Sequence, residues 1–240
     1  MSHYLAFDLG AESGRAMLGT LAGGKLQLEE LHRFLNEPVR LPTGLFWDTF
    51  RLFYNLREGL RIAGRERNLK LAGVAVDTWG VDFGLVDAKG ELVAAPIHYR
   101  DTRNYPAYDA ALAAVGREFI FEQTGLQFMA LNSLYQLYAA KLGAMPGLWS
   151  AARLLFMPDL LSYWLSGVQK NELTLASTSQ FYNPVKRGWA TELLDKLGLP
   201  TGILGEIVLP GAKLGELTDE ICEVCALEKT PVFATASHDT

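Results

Sequence analysis

The opening third of the chain carries the pattern that most constrains its fold. Three short apolar runs, Tyr4 to Leu9, Ala16 to Leu21 and Lys25 to Phe34, are separated by turns that contain glycine. Because short apolar runs bounded by glycine turns are typical of adjacent antiparallel strands, they predict a meander. Asp48 can then cap a helix, and the near-continuous apolar run Leu71 to Val76 predicts a buried parallel strand. The opening order is therefore βββαβ.

Two further local patterns extend this prediction. Apolar residues at helical spacing predict the buried face of the helix after Asp48: Phe50, Phe53, Leu56, Leu60 and Ala63. Farther along, Phe83 to Val86 and Leu92 to Ala95 flank Asp87-Ala-Lys-Gly90, whose turn chemistry predicts a hairpin.

The middle of the chain is predicted to be helical. Apolar residues recur with the helical period in four segments: Pro106 to Val115, Phe119 to Gln123, Leu131 to Leu142 and Pro158 to Leu165. A glycine follows each segment and predicts its end: Gly116, Gly125, Gly143 and Gly167. Two shorter helix candidates, Thr191 to Leu197 and Thr218 to Ala226, precede a last strand, Val232 to Ala236. We predict an α/β domain with a mixed sheet and helical insertions.

Composition excludes several classes of protein. The 240 residues, 49% hydrophobic and 20% charged, fit one large globular domain or two small ones, and we find no obvious linker. A net charge of -5 lacks the basic footprint of a nucleic-acid binder. No apolar run approaches the roughly 20 residues of a membrane span, and the N-terminus has no signal-peptide pattern. With only 2 cysteines, the cytoplasm is the expected compartment.

The turn after the first strand is the first candidate for chemistry. It has the sequence Asp8-Leu-Gly-Ala-Glu-Ser-Gly-Arg15 and connects a strand end to a returning strand. Backbone N–H groups in such a turn can face phosphate oxygens, Ser13 can add a hydroxyl donor, and Asp8 can hold Mg²⁺ through water. The sequence is neither a Walker A loop nor a dinucleotide-binding glycine motif. A plain hairpin with a surface acid is the alternative.

The second candidate, Asp77-Thr-Trp-Gly-Val-Asp82, follows the buried strand. Ligand groups commonly lie at such strand ends in α/β sheets. Gly80 would let a ligand approach the backbone, Trp79 offers a flat apolar wall, and Asp82 can accept hydrogen bonds from sugar hydroxyls. The alternative is a turn with a packed tryptophan and a solvated aspartate.

Two more polar segments follow strands. In His98-Tyr-Arg-Asp-Thr-Arg103, Arg100 or Arg103 can bind an anion or a carboxylate, although bracing of the loop by Arg100 and Asp101 is the favoured interpretation. In Ala236-Ser-His-Asp-Thr240 the aspartate is well placed as a general base for a hydroxyl, and His238 can donate to a second hydroxyl. An ordinary polar turn is the alternative for this segment.

Other features are better explained by packing. Cys222 and Cys225 form a lone C-x-x-C without further metal ligands, so we interpret them as small apolar residues of a helix. Aromatic residues at helical spacing are expected in the core: Tyr135, Tyr138, Phe156, Tyr163 and Trp164.

The order of these motifs resembles the FGGY family of carbohydrate kinases. The strings that carry the resemblance run from the first strand to the last residue: Asp8-Leu-Gly with Ser-Gly-Arg15, Val76-Asp-Thr-Trp-Gly-Val-Asp-Phe83, Tyr99-Arg-Asp-Thr-Arg103, Met157-Pro-Asp159 with Leu165-Ser-Gly167, and Ala236-Ser-His-Asp-Thr240. The second and last strings most resemble the branch of the family that phosphorylates L-rhamnulose.

The resemblance implies an actin-like, ribonuclease-H-like ATPase fold, with residues 1–240 as the N-terminal, sugar-binding domain. Family members are roughly twice as long, and their second domain, on which this one docks, supplies most of the nucleotide site. ATP and Mg²⁺ would be the cofactors. The implied phosphate-binding loop consists of Ala11, Glu12, Ser13, Gly14 and Arg15, and Asp8 would lie near Mg²⁺. The implied ketose contacts are Gly80, His238, Asp239 and Thr240. Asp239 would also be the catalytic base.

The implied reaction is ATP-dependent phosphorylation of L-rhamnulose at O1. Asp239 would accept the proton of the primary hydroxyl as that oxygen attacks the γ-phosphoryl group, with positioning and charge neutralisation supplying the rest. On this interpretation residues 1–240 alone would lack normal kinase activity. Two alternatives remain open: a kinase for another ketose such as L-fuculose or L-xylulose, and a non-catalytic actin-like domain used for binding or assembly.

Overall fold

The structure, a computed structural model, describes residues 1–143, 145 and 147–238. The strands, in chain order, are β1 (Ser2–Leu9), β2 (Ser13–Ala22), β3 (Lys25–Leu35), β4 (Val39–Leu41), β5 (Gly44–Phe46), β6 (Leu71–Thr78), β7 (Phe83–Val86), β8 (Arg153–Phe156), β9 (Asn171–Glu172), β10 (Tyr182–Asn183), β11 (Gly188–Trp189), β12 (Ile207–Val208), β13 (Lys213–Glu216) and β14 (Pro231–Ala234). The helices are α1 (Thr49–Arg61), α2 (Asn104–Val115), α3 (Arg117–Thr124), α4 (Ser133–Leu142), α5 (Met157–Ser166), α6 (Leu173–Thr178), α7 (Thr191–Lys196) and α8 (Asp219–Cys225).

A six-stranded mixed sheet in the order β13-β14-β6-β1-β2-β3 organises the domain. The meander β1-β2-β3 is antiparallel, and β6 runs parallel to both β1 and β14. The βββαβ opening is confirmed, with one addition, the short hairpin β4-β5 between β3 and α1. No helix in the described ranges is both long enough and apolar enough to cross a membrane.

One face of the sheet packs against α1. Leu5, Phe7 and Leu9 alternate along β1 and are buried, while the residues between them point to the opposite face. The helix approaches so closely that a side-chain carbon on Gly59 would lie 2.8 Å from the ring of Phe7. Each fully buried aliphatic or aromatic side chain in this layer contributes about 1.5–3 kcal/mol. This close approach therefore holds α1 directly against β1.

The start of α1 is predicted correctly, and four of the five residues expected on its buried face pack in the core, with Phe50 as the exception. The Asp48 carboxylate accepts a hydrogen bond from the Arg51 backbone N–H at 3.0 Å and caps the helix. The buried face contains Leu52, whereas Phe50 is 69% exposed and stacks on Trp164. Residues two positions apart in sequence lie about 200° apart around a helix axis, so one face cannot contain both Phe50 and Leu52.

The predicted hairpin forms, but its second strand is reduced to one antiparallel bridge, Val86 to Leu92. The N–H of Gly90 donates to the carbonyl of Asp87 at 3.0 Å in the turn, and the N–H of Val93 donates to the carbonyl of Leu85 at 2.8 Å across the two runs. The longer partner of β7 is β8, a strand that the sequence patterns do not indicate and that pairs with it antiparallel. Buried Leu154, Leu155 and Phe156 in β8 offer far more apolar area than the two alanines at the end of the predicted run.

The helical middle agrees closely with the sequence. Gly116, Gly125, Gly143 and Gly167 are the C-caps of α2, α3, α4 and α5. Tyr135, Tyr138 and Phe156 lie in a hydrophobic core to which α2, α3, α4 and α7 contribute buried side chains. The packing role of the cysteine pair is also supported, because Cys225 is buried against α1 and Cys222 is partly buried.

Candidate active site

The ends of three neighbouring strands meet at one edge of the sheet. Leu9 at the end of β1 is the register partner of Thr78 at the end of β6, and Ala234 in β14 is the partner of Val76. The turn after β1, the Trp79 segment after β6 and the His238 segment after β14 therefore leave the sheet side by side. The backbone N–H of Thr78 donates to the carbonyl of Ser237 at 3.1 Å and joins the last two. Such an edge is where α/β sheets commonly bind ligands.

A cavity of about 520 Å³ opens at this edge. Its lining falls into three groups. The first lies after β6, after β14 and in the loop that contains Tyr99: Trp79, Gly80, Val81, Tyr99 and His238. The second lies between α3 and α4, and the third at the end of α6: Leu126, Gln127, Met129, Leu131 and Asn132; Ser177 and Thr178. The volume matches the range of small-molecule sites, and so does the combination of apolar walls with few polar groups.

Gly80 and His238, the two residues that were expected to contact the ketose, lie next to each other in the cavity lining. A side-chain carbon on Gly80 would lie 2.5 Å from Nε2 of His238 and 2.7 Å from Cδ2. Glycine is therefore the residue that leaves room for the imidazole at this position.

Asp82 is not a ligand group, which corrects the expectation that it accepts hydrogen bonds from sugar hydroxyls. Its side chain is 0% exposed, which also rules out the alternative of a solvated aspartate. Oδ2 accepts hydrogen bonds from the indole nitrogens of Trp47 and Trp79, and Oδ1 accepts one from Nε2 of Gln136 at 2.8 Å. Asp82 thus holds the cavity wall from behind.

Burial dominates the protonation of Asp82. Desolvation raises the pKa of this carboxyl to about 7, against the opposing effect of the donors from Trp47, Gln136, Trp79 and Tyr99. Near neutral pH the carboxyl is therefore partly protonated. A change in its charge would alter the hydrogen bond that it accepts from Trp79 in the cavity wall.

His98 is a second buried group behind the wall. Its Nδ1 accepts a hydrogen bond from the backbone N–H of Arg100 at 2.9 Å, and its ring stacks on Trp47 with centroids 4.1 Å apart. Desolvation lowers the pKa of His98 to about 4, with a smaller contribution from the Arg100 charge. The imidazole is therefore neutral at physiological pH, so its Nδ1 lone pair can accept the hydrogen bond from Arg100.

The loop from His98 to Arg103 is braced by an ion pair, as favoured from the sequence, but Arg103 forms it rather than Arg100. Nε of Arg103 donates to Oδ1 of Asp101 at 2.8 Å, and Oδ2 of Asp101 accepts from the backbone N–H of Leu45 at 2.6 Å. The pair ties the loop to β5. Arg100 instead lies over the ring of Tyr99, 5.1 Å from its centroid.

The turn that contains Ala11 to Ser13 is fixed from β3 by a residue that the sequence did not point to. The N–H of Gly10 donates to the carbonyl of Ser13 at 2.8 Å and closes the turn. Asn36, which is buried, donates its side-chain amide to the carbonyl of Gly10 at 2.8 Å, and its backbone N–H donates to the carbonyl of Glu12 at 3.0 Å. No local motif marks Asn36, because its partners are contributed by another strand.

Asp8 and Arg15 form an ion pair at the base of this turn, with 2.6 Å between Oδ2 and the guanidinium nitrogen. Asp77 is the register partner of Asp8 on the parallel strand, so the two carboxylates point from the same face of the sheet. Mg²⁺ typically takes one or two carboxylates together with water and substrate phosphates, so this donor set fits that ion. Among the described residues no group of three or more His, Cys, Asp or Glu side chains could hold a metal ion alone.

Asp239 and Thr240, the expected base and a ketose contact, lie outside the described residues. The segment that leads to them is well defined. Ser237 is buried, and its carbonyl is held by Thr78 at the strand edge.

The chain belongs to the FGGY family of carbohydrate kinases. The model of the family's N-terminal domain matches residues 3–240.

The curated relatives are rhamnulokinases. That of Bacteroides thetaiotaomicron is 39% identical over 238 residues, which are 99% of this chain and 49% of the relative. That of Oceanobacillus iheyensis is 34% identical over 236 residues, 98% of this chain and 50% of the relative. The chain thus spans about half the length of the curated relatives it matches.

Solved structures show the same fold at low identity. The ligand-bound xylulose kinase of Lactobacillus acidophilus superposes with a TM-score of 0.87 at 16% identity, over 98% of this chain and 48% of that one. The xylulose kinase of Rhodospirillum rubrum gives a TM-score of 0.83 at 18% identity, over 97% and 49% of the two chains. The fold is the actin-like, ribonuclease-H-like ATPase fold with a mixed sheet.

Proposed function

We propose that the full-length protein transfers the γ-phosphoryl group of ATP to O1 of L-rhamnulose and releases L-rhamnulose 1-phosphate and ADP. The observation that carries the proposal is the cavity beside the ends of β1, β6 and β14, with Gly80 and His238 at its inner end. The family and the rhamnulokinase relatives support both the reaction class and the sugar.

The cavity wall favours a 6-deoxy sugar. Leu126, Met129 and Leu131 contribute apolar side chains to the cavity lining. A methyl group buried against such a wall gains about 0.8 kcal/mol per carbon, whereas a hydroxyl group there would lose hydrogen bonds to water. L-rhamnulose and L-fuculose both end in a methyl group, while L-xylulose is one carbon shorter. The wall therefore ranks both 6-deoxy ketoses above L-xylulose.

In the proposed reaction the chain positions both substrates. His238 and the Gly80 backbone hold the ketose, and Asp239 accepts the proton of the O1 hydroxyl as that oxygen attacks phosphorus. The turn at Ala11 and Glu12, with the hydroxyl of Ser13, faces the ATP phosphates. Gly14 and Arg15 lie in β2, where their backbone pairs with β1 and β3. Asp8 and Asp77 would hold Mg²⁺, which supplies charge neutralisation at the phosphates when bound.

The second half of the protein completes the site in this proposal. Residues 1–240 form the N-terminal, sugar-binding domain, and the remaining length seen in the relatives docks as a nucleotide-binding domain. We expect residues 1–240 alone to bind the ketose weakly and to lack normal kinase turnover.

A coupled ADP-release assay on the full-length protein tests the proposal with L-rhamnulose, L-fuculose and L-xylulose. We expect L-rhamnulose to give the highest kcat/KM and Asp239→Asn to abolish most of kcat without loss of folding. Highest turnover with L-fuculose would reassign the sugar. Absence of turnover and of calorimetric binding with every ketose would instead favour a binding or assembly domain.

A further inference from the structure

Glu172 is a buried carboxylate that the site described so far does not use. It precedes α6, and its side chain is 0% exposed. Oε1 accepts a hydrogen bond from the backbone N–H of Thr174 at 2.8 Å, while Oε2 accepts from the N–H of Leu175 at 3.3 Å and from the Thr174 hydroxyl. Glu172 therefore caps α6 with a side chain longer than the usual capping residues.

The same carboxylate reaches the segment before the expected base. The backbone N–H of Ser237 donates to Oε2 of Glu172 at 3.3 Å. The carbonyl of Ser237 accepts from the N–H of Thr78 at 3.1 Å, so both sides of this residue are held. Ser237 immediately precedes His238 and Asp239 in the sequence. Its backbone therefore sets where His238 begins.

The helix that Glu172 caps forms the opposite wall of the cavity. Ser177 and Thr178, in the last turn of α6, line the cavity together with His238. A single carboxylate thus joins the wall to the His238 segment. The hydrogen bonds from Leu175 and Ser237 end on the same oxygen of Glu172, so they hold the start of α6 and the buried segment in one position relative to each other.

Asp159 supports this arrangement from α5. Its Oδ1 accepts a hydrogen bond from the backbone N–H of Glu172 at 3.1 Å, and it is buried. Desolvation, and then the nearby Glu172, raise the pKa of Asp159 well above its usual range despite the Glu172 N–H donor. Asp159 thus fixes the backbone of Glu172 from α5.

We propose that Glu172 is a positioning residue for phosphoryl transfer, one that fixes the Ser237 backbone so that His238 and Asp239 meet a ketose held against α6. This inference rests on the proposed kinase function. It goes beyond that function by assigning a role to a residue that touches neither substrate.

Three variants of the full-length protein test it. Glu172→Gln places an amide donor opposite the donors of Ser237 and Leu175. Glu172→Asp keeps a good capping carboxylate, but one carbon too short to reach both α6 and Ser237. Thr174→Val is the matched control, because it removes one donor to the same carboxylate and leaves the Ser237 contact in place.

We expect Glu172→Gln and Glu172→Asp to lower kcat about 100-fold, as small misplacements of reacting groups do, and to raise KM for the ketose about tenfold because His238 moves with the segment, while KM for ATP stays unchanged. Hydrogen exchange at the Ser237 amide should accelerate in both. Thr174→Val should lower the midpoint of thermal unfolding while kcat and Ser237 exchange stay within about twofold of wild type, since it removes one hydrogen bond of ordinary strength.

The outcomes separate the two proposals. If the wild-type protein phosphorylates no ketose, the proposed function fails, and Ser237 exchange still reports whether Glu172 holds the segment. If the wild type is active and Glu172→Asp, folded, keeps its kcat, Glu172 is only a helix cap and the inference is overturned. The same conclusion follows if Thr174→Val lowers kcat as much as Glu172→Gln does.

Discussion

The indole N–H of Trp79, which lines the cavity, donates to Oδ2 of the buried Asp82 at 2.9 Å. Trp47 donates to the same oxygen, and Gln136 donates to the other one at 2.8 Å. One carboxyl group thus satisfies three buried side-chain donors and positions the wall of the site through one of them. Its removal should therefore disturb the fold and the cavity together.

Asp82→Ala should destabilise the protein by about 3–5 kcal/mol, because each buried donor left without an acceptor costs about 1–3 kcal/mol. Asp82→Asn keeps one carbonyl oxygen and should cost about half as much. Thermal and urea unfolding of the full-length protein measure both. The exposed Asp109 gives the control Asp109→Ala, which we expect within about 0.5 kcal/mol of wild type. If Asp82→Ala changed the free energy of unfolding as little as this control does, the hydrogen bonds of Asp82 would not stabilise the fold.

The sequence predicts local features of this fold well and long-range ones poorly. The strands of the meander, the Asp48 cap and the four glycine stops depend on neighbours within a few residues. The roles of Asp82 and Asn36 depend on partners 35 and 26 residues away, Trp47 and Gly10. Those partners are brought together only by the sheet and its crossover, so no spacing in the sequence marks them.

The same distinction holds within the candidate site. Gly80 and His238 could be named from their motifs, and the structure brings them together. Asp82 stands in one of those motifs and was assigned to the ligand, because a pattern does not tell which carboxylate is buried. Glu172 and Ser237 are 65 residues apart, and their contact exists only once the fold brings the start of α6 to the segment after β14.

The two buried titratable groups behind the wall should give opposite dependences of stability on pH. The pKa of Asp82 is raised to about 7, so its contribution is present below its unfolded value near 4 and is lost as pH rises towards 7. The pKa of His98 is lowered to about 4, so its contribution is present above its unfolded value near 6.5 and is lost as pH falls towards 4.

Single variants separate the two effects. Relative to wild type, Asp82→Asn should make stability rise more steeply with pH between about 4 and 7, by up to about 1.4 kcal/mol per pH unit. His98→Asn should make it rise less steeply between about 4 and 6.5, by up to the same amount. Urea unfolding at several pH values checks both. Identical slopes in wild type and Asp82→Asn would show that Asp82 titrates alike in the folded and unfolded chains.

Gly80→Ala tests the contact across the cavity. The new carbon would lie 2.5 Å from Nε2 of His238, so the imidazole must leave its position. Because the ring borders an open cavity, it can move without unfolding the domain. We expect KM for the ketose to rise about tenfold or more, for a cost of about 1–3 kcal/mol, while KM for ATP stays unchanged.

Gly202→Ala is the matched control for that substitution, since an added carbon there would meet no atom within 4 Å. It should leave both KM values as in wild type. A Gly80→Ala enzyme with wild-type KM for the ketose would show that His238 does not contact the sugar.

Asn36 provides a test of the phosphate-binding turn that is independent of the sugar. Its amide donates to the carbonyl of Gly10 at 2.8 Å and holds the turn whose N–H groups are proposed to face ATP. Asn36→Ala should raise KM for ATP about fivefold, the equivalent of one hydrogen bond of about 1 kcal/mol, and leave KM for the ketose unchanged. Asn36→Asp should raise it further, because a carboxylate would repel both the Gly10 carbonyl and the phosphates. Steady-state kinetics with each substrate varied in turn decide the matter, and an unchanged KM for ATP in both variants would remove this turn from the nucleotide site.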